Sequence, residues 1–89
     1  MKQKTGFRLR TLGKEYILTA EAGKNIDFNK MISMNSSAVY LWQSVEDKDF
    51  TVNDLADLLV GEYGIDRETA ERDSKSIAEK WIEAGIVEA

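Results

Sequence analysis

Residues 7–20 read FRLRTLGKEYILTA, two runs of strand-forming residues on either side of the pair Gly13-Lys14. A two-residue loop that begins with glycine is typical of a type II′ β-hairpin, because glycine adopts the positive φ that the first position requires. Pairing Leu12 with Glu15 fixes the register, which ends with Phe7 opposite Ala20. The hairpin then has an apolar face of Phe7, Leu9, Tyr16 and Leu18 and a polar face of Arg8, Arg10 and Thr19.

A third short strand is predicted at residues 31–34, where alternation turns Ile32 and Met34 inward. Residues 21–25 contain glycine and polar residues and are predicted to form a loop, after which Phe28 already follows the alternating pattern. Together with the hairpin, this strand predicts a sheet of three short antiparallel strands.

Three helices follow, each with its own start signal. Asn35, Thr51 and Asp66 are predicted N-caps, whose side-chain oxygens accept a free backbone N–H, and Gly64 and Gly85 end the last two helices. The residues at core-facing spacing are Ala38, Leu41, Trp42 and Val45 in the first helix, Val52, Leu55, Leu59 and Tyr63 in the second, and Ala70, Ser74, Ile77, Ala78 and Trp81 in the third.

The predicted fold class is α+β: a three-stranded antiparallel sheet followed by a three-helix bundle, in a single domain over residues 1–89. Residues 64–66 make the short link of a helix-turn-helix, so the architecture is winged-helix-like with its sheet placed before the helices. The apolar pair Ile86-Val87 is predicted to pack back on the core.

The composition excludes several classes of protein. The chain has no Cys and no His, which rules out disulfide frameworks, Cys/His zinc sites and the Cys–His and Ser–His pairs of hydrolases. No apolar run reaches the length of a membrane span, and no secretory h-region follows Met1. We therefore expect a cytoplasmic, non-catalytic binding protein without cofactor, metal or membrane contact. A small enzyme, which would need a catalytic group of another kind, stays an alternative.

The charge distribution argues against nucleic acid. Residues 1–44 carry seven basic and three acidic residues, whereas residues 45–89 carry five basic and thirteen acidic ones. In a helix-turn-helix the second helix enters the major groove, but here that helix is slightly acidic and the helix before it has no basic residue. A winged-helix DNA-binding regulator is therefore the first alternative, not the leading interpretation.

Other candidate functional side chains have structural explanations. Ser74 lies in the middle of the third helix on its inward stripe, which favours a packing role over that of a carrier-protein serine. The carboxylates at positions 54, 57, 68 and 71 share helix faces but lack the glycine-rich loop of a hard-metal site. Trp42 and Trp81 are predicted to fill the core.

The remaining opportunity is a sheet edge. Three antiparallel strands leave two edges with unpaired N–H and C=O groups, on which an extended peptide can dock as an added strand. Main-chain hydrogen bonds would supply affinity, and pockets between strand and helix would supply selectivity. Periodicity alone leaves open whether either edge is free.

At this point the sequence resembles the coenzyme PQQ synthesis protein D (PqqD-like) family, the recognition elements for ribosomally made, modified peptides. The resemblance spans nearly the whole chain in the right order. It is carried by residues 7–10, residues 34–42 with the pattern MNSSAVYLW, Thr51, Leu55, Leu59, Tyr63, Asp73 and residues 84–87.

The resemblance implies a domain that binds the leader of a precursor peptide as an extra strand and presents it to a modifying enzyme, typically a radical S-adenosylmethionine (SAM) protein. The leader would lie beside the third strand, in a groove walled by the third helix. The implied strand positions are Met31, Ile32, Ser33 and Met34. The groove positions that helix geometry adds are Asp73, Ser76, Ile77, Lys80 and Trp81.

Three matters stay open at this level. The resemblance does not identify the peptide, the enzyme, or whether the product is PQQ or another modified peptide. A paralogue that kept the fold but pairs with a different protein is a further alternative. An exposed strand edge also permits pairing between copies, so we expect a monomer or a weak homodimer.

Overall fold

The computed structural model of the chain describes residues 1–20 and 31–89, which contain eight regular elements. These are β1 (Lys2–Gln3), β2 (Phe7–Leu12), β3 (Glu15–Ala20), β4 (Met31–Met34), α1 (Ser36–Ser44), α2 (Val52–Tyr63), α3 (Arg67–Ala84) and β5 (Val87–Glu88). The predicted α+β class is confirmed, with an antiparallel sheet in the order β2-β3-β4 and three helices. The predicted loop at 21–25 and the alternation at Phe28 lie outside the described residues.

The hairpin has the predicted register. Leu12 pairs with Glu15, and the pairing continues residue by residue to Phe7 opposite Ala20. Gly13 has a φ of 63°, the positive value that the first position of a type II′ turn needs. Of the predicted apolar face, Leu18 is fully buried and its companions are half-buried against the core.

The helices begin and end where their caps predict. Asn35 caps α1 through its side-chain oxygen, Thr51 and Asp54 form a reciprocal capping box at α2, and Asp66 caps α3. The glycines after α2 and α3 both adopt the left-handed conformation that ends a helix. None of these described helices is both long enough and apolar enough to cross a bilayer.

The core lies between the apolar face of the sheet and the helices, and one inward prediction needs correction. Tyr63 is 45% exposed, because it stands at the last residue of α2, where its ring lies edge-on against the half-buried Tyr40. In α1, Val39 is buried in addition to the predicted residues, and Ala38 packs against the core while it borders a groove on the surface. The other predicted core positions are buried or half-buried.

A second, two-stranded sheet was not predicted. β1 pairs with β5, Lys2 opposite Glu88 and Gln3 opposite Val87. The side chain of Gln3 donates a hydrogen bond to the carbonyl oxygen of Trp42 at 2.7 Å, which ties β1 to α1. The predicted packing of the Ile86-Val87 tail is confirmed, since both side chains are buried.

Candidate functional site

β4 is an edge strand of the three-stranded sheet in the part of the chain that the structure describes. It pairs with β3 so that Met34 lies opposite Tyr16 and Ile32 opposite Leu18. Ile32 and Met34 therefore share the sheet face of Leu18 and contact the core, as predicted. The strand thus has an apolar face toward the helices and an outer flank with which no described strand pairs.

The hairpin determines which backbone groups of β3 point toward β4. In a two-residue hairpin, the residues that flank the loop, here Leu12 and Glu15, form a hydrogen-bonded pair, and bonded pairs then recur at every second position. Residues 15, 17 and 19 of β3 consequently direct their N–H and C=O groups to β2. Tyr16 and Leu18 direct theirs to β4.

The same alternation determines which groups of β4 are left over. Met34 and Ile32 lie opposite Tyr16 and Leu18, so their N–H and C=O groups bond to β3. The N–H and C=O groups of Ser33 and Met31 point the other way, to the outer flank of the sheet. Among the described strands none pairs with that flank.

The two edges of the sheet differ in charge. The outer strand β2 carries Arg8 and Arg10, both exposed, which is a common protection of an edge against pairing with another chain. The residues of β4 are uncharged throughout. By this criterion the β2 edge is the better protected of the two.

A groove of about 180 Å³ runs between β4 and α3. One side is the β4 segment, and the other is the face of α3 around Trp81. Its lining residues are Ile32, Ser33, Met34, Asn35, Ala38, Ile77, Lys80 and Trp81. An extended segment on the β4 flank would turn alternate side chains into this groove.

Aromatic packing makes the α3 wall of the groove rigid. Trp81 is only 4% exposed, and its ring contacts Trp42 edge-on with centroids 5.1 Å apart. Phe50 packs on the same ring at 6.2 Å. Trp81 is therefore a core residue, as predicted, and one edge of it also borders the groove.

The structure gathers six of the nine predicted site residues around this groove: Ile32, Ser33, Met34, Ile77, Lys80 and Trp81. Met31 belongs to β4 opposite Thr19, but its side chain lies outside the described part. Asp73 and Ser76 are exposed on α3 and do not line the groove. Asp73 lies two turns of helix before Trp81, and the short side chain of Ser76 points about 100° away from that of Ile77.

Sequence reasoning missed two lining residues, Asn35 and Ala38. Both were assigned structural roles, as an N-cap and as a core-facing residue of α1. The signal that could have found them is their position directly after β4, since a helix that starts one residue after an edge strand begins beside the flank of that strand.

The helix-turn-helix surface is engaged in contacts of its own. The guanidinium of Arg67, at the start of α3, contacts Asp57 and Asn53 of α2, and its Nε donates to Glu71 at 3.0 Å. The hydrogen bonds to Asp57 and then to Glu71 raise the pKa of Arg67.

Within residues 1–20 and 31–89, no group of three or more acidic side chains is arranged to hold a metal ion.

A family model and a solved structure match the chain. The family model of coenzyme PQQ synthesis protein D (PqqD) matches residues 15–87. A solved structure described as TbiB1 in complex with the TbiA(beta) leader peptide superposes with a TM-score of 0.73 at 18% identity, covering 100% of this chain and 96% of that one. At this identity the structural match shows the fold alone. No curated protein matches the chain.

Proposed function

The chain belongs to the PqqD family, and from this membership we propose that it binds an extended segment of a ribosomally made precursor peptide along the outer edge of β4. The observation that carries the proposal is the uncharged flank of β4, with which no described strand pairs, beside the groove against α3. The peptide is added as a strand: its backbone bonds to Ser33 and Met31, and alternate side chains enter the groove.

The apolar lining of the groove supports this binding mode. Ile32, Met34, Ile77 and Trp81 line the same groove and belong to the core or pack against it. Main-chain hydrogen bonds are the same for every sequence, so the groove supplies the selectivity. The similar fold of TbiB1, whose structure was solved with a leader peptide, supports a leader as the segment bound.

The role that follows is one of presentation. We propose that the bound peptide is offered to a modifying enzyme, a radical SAM protein in this family, and that the chain itself carries no catalytic step. The product, PQQ or another modified peptide, is set by the precursor and the enzyme. Asp73 and Ser76, exposed on α3 next to the groove, are proposed to contact the ends of the peptide or the enzyme that receives it.

DNA binding has weaker support. A helix-turn-helix reads bases from the N-terminal residues of its second helix. Arg67 holds that position, but its guanidinium is paired with Asp57 and Glu71. A DNA phosphate would therefore have to displace the carboxylates of Asp57 and Glu71, which already neutralise the charge of Arg67.

The proposal can be tested by titrating the ¹⁵N-labelled chain with synthetic peptides that tile each short open reading frame found beside its gene, the candidate precursors. We expect one segment near the N-terminus of the precursor to shift the amide signals of Ser33, Ile77 and Trp81. Duplex DNA at the same concentration and at low salt should leave them unchanged.

A matched pair of proline variants isolates the strand edge. Ser33→Pro removes an outward N–H from β4 without touching the β3–β4 ladder, and Thr11→Pro does the same at the β2 edge; proline is tolerated at such edge positions. Both variants should keep the far-UV circular dichroism of the wild type. Peptide binding should be lost in Ser33→Pro and kept in Thr11→Pro, and equal binding by the two variants would refute strand addition on β4.

A further inference from the structure

Lys80 is the one charged side chain among the residues that line the groove between β4 and α3. It is exposed at the groove, and none of the ion pairs in the described part of the chain involves it. The rest of the lining is mostly apolar. The ammonium group of Lys80, which is paired with no carboxylate among the described residues, therefore faces any segment that enters the groove.

The polar side chain of Asn35 also offers donors to the groove. Its oxygen already accepts the hydroxyl of Ser37 at 3.0 Å and the N–H of Ala38 at 2.9 Å. Its amide nitrogen keeps two N–H donors. Ser33, the other polar lining residue, turns its hydroxyl to the opposite face of the sheet by strand alternation. Of the lining residues, Lys80 and Asn35 thus carry N–H donors, and none is acidic.

From this chemistry, and resting on the proposed function, we propose that Lys80 makes the groove selective for an extended segment that carries an acidic side chain beside apolar ones. A carboxylate accepts charge-assisted hydrogen bonds from the ammonium group. A Lys or Arg at the same position is repelled by Lys80 and meets no acceptor. Strand alternation places the acidic residue two positions away from an apolar residue that packs on Met34 and Trp81.

The overall charge of the chain does not attract acidic peptides. The formal net charge is −4, so acidic peptides are weakly repelled at long range. A preference for Asp or Glu at one position therefore has to come from a local cation. Lys75, on the same helix but outside the groove, provides a matched control because it has the same charge and is also exposed.

The test uses a display library that combines random twelve-residue peptides with segments tiling the short precursors encoded beside the gene. It is selected on the full chain, on Lys80→Glu and on Lys75→Glu. We expect the wild type to enrich Asp or Glu two residues from an apolar side chain. Lys80→Glu should enrich Lys or Arg at that position, and Lys75→Glu should keep the wild-type pattern.

Binding measurements on one selected peptide then quantify the effect. Exchange of its acidic residue for the amide should weaken binding to the wild type about two- to fivefold at low salt, the range of an exposed ion pair, and should not change binding to Lys80→Gln. Far-UV circular dichroism checks that the variants are folded, and addition of salt should shrink the wild-type difference.

The outcomes separate this inference from the proposed function. In one outcome the wild type selects apolar alternating peptides that show no acidic preference, and Ser33→Pro no longer selects them. This outcome overturns the role of Lys80 and leaves peptide binding intact. The same acidic preference in Lys80→Glu also overturns it. Failure of the wild type to select any peptide above the empty support overturns both.

Discussion

Trp42 of α1 and Trp81 of α3 meet edge to face, with ring centroids 5.1 Å apart and ring planes at 84°. Only Trp81 lines the groove, so Trp42 supports the groove wall from behind. Edge-to-face geometry is the favoured arrangement of aromatic pairs, because the positive edge of one ring meets the negative face of the other. The wall of the groove is thereby continuous with the core, and its position depends on a residue that does not line the groove.

The first prediction concerns this supporting ring. Trp42→Ala should lower the free energy of unfolding by about 3–5 kcal/mol, because it removes a buried aromatic side chain and leaves a cavity behind Trp81. Urea denaturation followed by far-UV circular dichroism measures the loss. Leu12→Ala is the control: Leu12 is largely exposed, and its loss should cost less than about 0.5 kcal/mol. A similar small effect at Trp42 would contradict the packing described.

The second prediction concerns the buried hydroxyl of Ser74, which has no hydrogen-bond partner among the described residues. Ser74→Ala should raise the free energy of unfolding by about 1–2 kcal/mol, because it relieves an unsatisfied buried group and adds helix propensity. Ser44→Ala is the matched control, since the hydroxyl of Ser44 donates to the carbonyl oxygen of Tyr40 at 2.6 Å. We expect no gain there; a gain at Ser44 equal to that at Ser74 would mean that propensity alone acts.

The third prediction concerns the capping box of α2. Thr51→Ala removes the acceptor for the backbone N–H of Asp54, at 3.1 Å, and should lower the free energy of unfolding by about 1 kcal/mol. Thermal denaturation would record this as a lower midpoint. Thr5→Ala, at an exposed threonine, should leave the midpoint unchanged. Equal midpoints for the two variants would show that the cap does not stabilise α2.

The fourth prediction is a pH dependence at Asp66. Its pKa lies below the usual 3.8, because the side chain and then the backbone N–H of Thr69 donate hydrogen bonds to the carboxylate. A pKa lowered by folding means that the ionised form stabilises the fold. This stabilisation is full above the pKa of the unfolded chain and is lost as the pH falls through the lowered pKa of the folded state.

Asp66→Asn tests this pH dependence, because asparagine is also a good N-cap but does not titrate. The difference in the free energy of unfolding between wild type and variant should be constant from pH 7 to pH 5. As the pH falls below about 4, the wild type should steadily lose stability relative to the variant. Parallel curves over the whole range would mean that the carboxylate is not the group that titrates.

Much of the fold could be predicted because its determinants are local. Gly13 fixes the turn and hence the register, and the caps Asn35, Thr51 and Asp66 fix where the helices begin. The pairing of β1 with β5 could not be predicted, because two residues are too few to show alternation and their partners lie at opposite ends of the sequence. Tyr63 has the spacing of a core residue, but periodicity does not reveal that the side chain at the end of α2 is exposed.

The site was predictable to the extent that it follows strand and helix periodicity. Ile32, Met34, Ile77 and Trp81 were found because alternation in the strand and the helical repeat bring them to facing surfaces. Asp73 and Ser76 share the helix but not the groove, because Asp73 lies two turns before Trp81 and the side chain of Ser76 points about 100° away from that of Ile77. Asn35 was missed because its capping role hides its place beside the strand.

The brevity of β4 has a kinetic consequence. Within the described part of the chain, Met31 and Ser33 provide a few outward main-chain hydrogen bonds, each worth about 0.5–1.5 kcal/mol net. A guest strand held by so few bonds depends on the side chains it inserts, and it departs rapidly once a modified or mismatched residue no longer fits. A short docking strand therefore suits a carrier that releases each peptide quickly and serves many in succession.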